Sequence, residues 1–72
     1  MQNISTFVRQ KRKAQDMTQK DLSERAGVGL RFIRDLEQGK KSLRMDKVND
    51  VLRLFGHELS PVVSEVKNEV LS

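Results

Sequence analysis

The sequence contains no cysteine, no tryptophan and no tyrosine, and only one histidine and one proline among its 72 residues. Without cysteine there is no disulfide, no thiolate metal site and no cysteine nucleophile. The lone histidine, His57, has no second residue at useful spacing with which to build a triad or a metal cluster. A glycine-rich phosphate cradle is also missing. No catalytic centre, cofactor or metal is therefore expected. No apolar run approaches membrane-spanning length, and the N-terminus does not read as a signal peptide, so the expectation is a cytoplasmic, soluble protein. The length allows one domain with a small core, marginally stable unless a partner subunit helps.

What the chain has in quantity is charge. It carries 14 Lys+Arg against 10 Asp+Glu, a formal net charge of +4. Residues 1–44 hold 11 basic and 5 acidic side chains, and residues 45–72 hold 3 and 5. A basic front and a slightly acidic back suit a protein that meets a polyanion with one end, although a solvated helical surface also carries such runs.

Residues 18–39, TQKDLSERAGVGLRFIRDLEQG, organise the rest. Thr18 is a strong N-cap residue, and Asp21 three positions later gives a form of the capping box. Leu22 and Ala26 fall four apart on one helix face. Gly27 ends that helix, where a positive φ is easiest without a Cβ, and Val28 is an apolar plug in the turn. Ile33 and Leu36 form the buried face of the next helix, which Gly39 closes. Helix, short glycine turn, helix is the unit that sets its second member into the DNA major groove.

The remaining chain reads as further helices. The first covers residues 3–14, capped by Asn3 or Ser5, with Ile4, Phe7, Val8 and Ala14 as its apolar stripe. Arg9, Lys11 and Lys13 project elsewhere, whereas Arg12 falls near the apolar face. Met17, just before the cap, is placed as a staple residue. Lys40, Lys41 and Ser42 form a basic loop. A fourth helix spans about 44–55, with Met45, Val48, Val51, Leu52 and Phe55 at three- and four-residue steps and Gly56 as its stop. Beyond it two readings stand. Alternation of His57, Leu59, Pro61 and Val63 with Glu58, Ser60, Val62 and Ser64 reads as a strand over about 57–63 with a loosely held tail. Alternatively, Ser60 caps a helix that Pro61 opens, with Val63, Val66 and Val70 on one face.

The run Thr18-Gln19, Leu22, Ala26-Gly27-Val28, Ile33, Glu37 and Gly39 resembles the helix-turn-helix of Cro- and lambda-repressor-type regulators over roughly residues 7–56. The fold expected is all-α, a compact four-helix lambda-repressor-like DNA-binding domain (1–56). A short C-terminal β-strand and tail (57–72) follow, for dimerisation or partner binding. The resemblance implies sequence-specific binding of double-stranded DNA.

Helix phase set by Ile33 and Leu36 turns Leu30, Arg31, Arg34 and Asp35 outward, and by position the resemblance assigns them to base edges. Arginine pairs with guanine O6 and N7, and Leu30 suits a thymine methyl; a phosphate contact or a solvated side chain is the plainer role for either arginine. Phe32, four before Leu36, reads as core. Gln19 matches a phosphate-contacting position of the family, at a helix N-terminus that favours an anion. Lys40 and Lys41 follow the recognition helix within reach of backbone phosphates. The family often pairs an arginine of its first helix with a glutamate near the end of the recognition helix, and Arg12 and Glu37 stand at those places.

The small size and the GHELSPVV tail resemble HipB-like antitoxins. That implies an autorepressor of its own operon which neutralises a HipA-type serine/threonine kinase toxin. It also implies a homodimer joined through His57, Leu59, Pro61 and Val63 on a palindromic operator. A free-standing phage-type repressor without a toxin, and a helical adaptor that binds only protein, are the alternatives.

Overall fold

The first two helices of this chain begin where a side chain caps their free N–H groups, whereas the third and fourth start at Gly29 and Arg44 without a side-chain cap. The computed structural model describes residues 3–61 and places four helices there: α1 (Ile4–Ala14), α2 (Gln19–Ala26), α3 (Leu30–Glu37) and α4 (Met45–Leu54). Asn3 caps α1, its Oδ1 accepting the Thr6 N–H at 2.9 Å; Ser5 is not the cap but donates its hydroxyl to the same oxygen at 2.8 Å. At α2 the capping box is complete. Thr18 Oγ1 accepts the Asp21 N–H and Asp21 Oδ2 accepts the Thr18 N–H, each at 3.0 Å, so two otherwise orphaned donors are satisfied.

The ends follow one pattern. At α3, Lys40 N–H donates to the Asp35 carbonyl at 3.0 Å and Gly39 N–H to Leu36 at 3.1 Å, with Gly39 at φ +82°. This is a Schellman closure, which needs a left-handed residue just past the helix. Helix α1 closes in the same way without a glycine: Asp16 takes φ +54°, while Met17 N–H and Asp16 N–H reach the carbonyls of Arg12 and Lys13, each at 3.1 Å.

Helix α3 packs against both α1 and α2, and α4 packs against α2. Val8, Met17, Leu22, Ile33, Leu36, Val48, Val51 and Leu52 form the buried core, with Phe7, Ala26, Val28, Phe32, Leu43, Phe55 and Leu59 packed around it. Burying one such aliphatic side chain contributes about 1.5–3 kcal/mol, so each of the eight matters in a domain this small. Ile4 and Met45 stood on the expected apolar stripes but are 36% and 69% exposed. Both are the first residues of their helices. They lie one turn short of Val8 and Val48, the residues that reach the centre.

The C-terminal segment differs from expectation. Residues 57–61 form no strand. Leu59 N–H donates to Asn49 Oδ1 at 2.7 Å, and the Leu59 side chain packs on the core. The N–H that a ladder would have used is thus taken by a side chain of the chain's own fourth helix, and within the described residues no second strand offers itself. His57 closes α4, its N–H donating to the Leu52 carbonyl at 2.9 Å, and its ring meets Phe7 edge-on with centroids 4.7 Å apart. Val63, and the alternative helical face of Val63, Val66 and Val70, lie outside the described residues.

Candidate nucleic-acid interface

One carboxylate at the end of α3 gathers side chains from two other helices. Glu37 occupies the last position of that helix and its side chain is only 2% exposed. A buried carboxylate needs donors for its oxygens. Arg12 supplies two in a fork, Nε to Oε2 at 2.7 Å and Nη2 to Oε1 at 3.0 Å. Gln19 Nε2 supplies a third to Oε1 at 3.1 Å. Arg12 Nη1 also donates to the Met17 carbonyl at 2.9 Å. Arg9 Nη2 donates to the Glu37 backbone carbonyl at 2.7 Å, and its Nε lies 3.8 Å from Oε1. A cation there also suits the negative end of the α3 dipole. Four side chains from α1, α2 and α3 therefore converge on one point.

Burial by itself raises the Glu37 carboxyl. The hydrogen bonds from Arg12 and Gln19, with the charges of Arg12 and Arg9, outweigh it and hold the pKa below the ordinary glutamate value. In return the Glu37 carboxylate raises the Arg12 guanidinium above its usual range, against the opposing effect of burial.

With the inner end of α3 held in this way, its outer face is set. Ile33 and Leu36 are buried, which turns Arg31 and Arg34 to solvent, the Arg31 side chain being 89% exposed. Leu30 and Asp35 sit half-buried beside them. Asp35 lies between two cations, 3.9 Å from Arg31 Nε and 3.6 Å from Lys40 Nζ. Lys40 and Lys41 are exposed in the loop that leaves α3. Four of these six residues are cations and one is a carboxylate.

The structure thus brings Arg31, Asp35 and Lys40 together, with Leu30 and Arg34 on the same helix and Lys41 exposed in the loop that follows, and sets Arg12 against Glu37. Gln19 stands at the first position of α2, with its side-chain amide directed at Glu37. Arg9 escaped the sequence reading, which set it merely outside the apolar stripe. The spacing of Arg9 three before Arg12, one turn on the same helix, was the available signal. Arg44 is engaged elsewhere, forked on Asp46 at 3.1 and 2.7 Å. Among the described residues no group of His, Cys, Asp and Glu is placed to hold a metal ion, and no helix is long and apolar enough to cross a membrane.

Comparison with known proteins gives the same reading of the fold. The Helix-turn-helix family matches residues 8–60 of this chain. An uncharacterised HTH-type transcriptional regulator of Sinorhizobium fredii, y4mF, is 48% identical over 54 residues, covering 75% of this chain and 71% of the relative. The chain belongs to the Helix-turn-helix family of Cro- and lambda-repressor-type transcriptional regulators.

Proposed function

We propose that this regulator represses transcription by binding a specific duplex sequence with the outer face of α3. The observation that carries the reading is the pairing of an anchored helix with exposed cations. Glu37 anchors α3 from inside, while Arg31 and Arg34 stand exposed one turn apart on the other side. Arg31 and Arg34 read base edges, Leu30 touches a thymine methyl, and Lys40 and Lys41 neutralise backbone phosphates. Gln19 serves from the start of α2, where its backbone N–H faces a phosphate and its amide stays on Glu37. The test is selection of bound sites from random duplex DNA. A recovered consensus, in two symmetric halves, is the expected outcome; retention of no sequence above background, even at low salt, would leave a protein-binding adaptor instead.

The regulator acts as a homodimer on a palindromic operator, with residues 57–72 at the subunit contact. Leu54, 39% exposed, supports this as an apolar side chain beside that segment. His57 and Leu59 serve from within their own subunit by holding the segment against Phe7 and the core, and Pro61 and Val63 continue it. The tail sequence GHELSPVV further supports an antitoxin role, with a HipA-type serine/threonine kinase as the partner and the shared operon as the target. Co-expression with such a kinase checks this: a complex that co-elutes in size exclusion is expected, whereas independent elution favours a free-standing, phage-type repressor.

A further inference from the structure

The outer face of α3 carries one carboxylate among its cations, and its two oxygens are divided between them. Asp35 Oδ1 faces Arg31 Nε at 3.9 Å, and Oδ2 faces Lys40 Nζ at 3.6 Å. Asp35 is the least exposed of the three, at 23% against 89% for Arg31 and 55% for Lys40. Both separations exceed hydrogen-bond range, so charge rather than a fixed geometry links the groups. No hydrogen bond occupies the Asp35 carboxylate among the described residues. Arg34 and Lys41 make no ion pair among the described residues, so the trio is the part of this surface that carries its own counter-ion.

We propose that Asp35 is the selectivity filter of this surface, lowering affinity for arbitrary DNA and admitting a duplex that presents the amine of cytosine opposite its oxygens. The inference rests on the DNA-binding reading above. Affinity for arbitrary sequence comes from cations that neutralise phosphates and release counter-ions. Arg31 and Lys40 already share an anion, so their gain from a phosphate is reduced. A carboxylate pressed toward the major groove is repelled by guanine, whose edge shows only the O6 and N7 acceptors, but accepts from the N4 amine of cytosine. Thymine, with its O4 acceptor, also leaves it dehydrated without a donor, and adenine sets its N6 amine beside an N7 acceptor that repels the carboxylate. Discrimination then comes from penalising wrong sites as much as from rewarding the right one.

The experiment compares the full-length protein with its Asp35→Asn and Asp35→Ala variants. Each is titrated, across a series of salt concentrations, with a duplex selected by the wild type and with a random duplex pool of equal length. Both variants are expected to bind the random pool several-fold more tightly at low salt, with a salt slope steeper by roughly one to two. Their preference for the selected duplex over the pool should drop roughly 10-fold. Selection repeated with Asp35→Asn should move one position from cytosine to adenine, the base that asparagine pairs with. If the wild type binds its selected duplex but the variants leave the pool affinity and the preference unchanged, the filter is overturned and DNA binding stands. An equal loss on both DNAs overturns it too, since Asp35 would then serve only the fold of α3. If the wild type binds no duplex, the DNA-binding reading has failed and the filter falls with it.

Discussion

Arg12 and Glu37 lie 25 residues apart and meet in a two-bond fork at 2.7 and 3.0 Å, joining α1 to the last turn of α3. The carboxylate is almost fully buried and the guanidinium largely so, at 2% and 12% exposed. Such a pair adds little net stability, because removing both charges from water costs about as much as their attraction returns. Its effect is geometric. With Gln19 on the same carboxylate and Arg9 on the adjoining carbonyl, side chains of α1 and α2 both meet the end of α3 at this point.

Breaking one side of the pair tests this. Arg12→Met should cost on the order of 3 kcal/mol, the low end for a charge left buried, because Gln19 and Arg9 still face Glu37. Adding Glu37→Leu should recover much of the loss by removing the stranded carboxylate. Urea denaturation of the two single variants and the double variant measures the coupling. Strictly additive losses would show that the two side chains act independently.

The same carboxylate sets an acid limit. Glu37 has a folded pKa below its unfolded value of about 4.3. The folded state therefore binds that proton less readily than the unfolded chain. The stabilisation is fully present above the unfolded value and is lost as pH falls through the folded one. Asp21 moves in the same direction, lowered first by the Thr18 backbone N–H and then by the Thr18 hydroxyl. Stability measured from pH 6 down to pH 2 should decline in this acid range. The Arg12→Met, Glu37→Leu double variant should decline less steeply; an unchanged slope would remove Glu37 from the explanation.

Local signals account for most of what the sequence disclosed. Thr18 and Asp21, Gly27, Gly39, Gly56 and the Ile33/Leu36 phase act within one or two turns, and residue type alone specifies them. The family pattern added the Arg12–Glu37 correspondence, which no local rule joins across 25 positions. The misses are tertiary. Arg9 and Gln19 turn toward Glu37 only because three helices meet there. Asp16 enters the left-handed region without the glycine that usually marks it. The expected strand at 57–63 followed from alternation, but Asn49 and the core claim Leu59 first, a competition that an alternating pattern cannot register.

Arg31 and Arg34 should separate base reading from phosphate contact. If each forms a bidentate guanine contact, Arg31→Ala and Arg34→Ala relax the preference at one position by about 1–3 kcal/mol each. Lys40→Ala and Lys41→Ala should weaken every sequence alike and flatten the salt dependence by roughly 1 unit per phosphate lost. Binding of selected and random duplexes by all four variants is the measurement. An arginine variant that loses affinity equally for both would be assigned to the backbone.

The proposed dimer is motivated by the size of the core and by where the chain leaves it. Eight buried side chains support a domain of marginal stability, and the segment after Gly56 starts from the surface beside exposed Leu54. A dimer through residues 57–72 would relate two α3 helices by a two-fold axis. It would offer them to successive major grooves of a palindrome whose half-sites lie roughly 34 Å apart. A chain ending at Gly56 should therefore sediment as a monomer and bind the operator far more weakly. That truncation also removes Leu59 from the core and its N–H from Asn49, so full-length Leu59→Ala is the control. It should lose stability, by less than the roughly 2–5 kcal/mol of a fully buried leucine because Leu59 is only partly buried, yet remain dimeric under conditions where it is folded. If the truncated chain still sediments as a dimer, the contact must lie on the helices instead, with exposed Met45 and Leu54 as the first places to substitute.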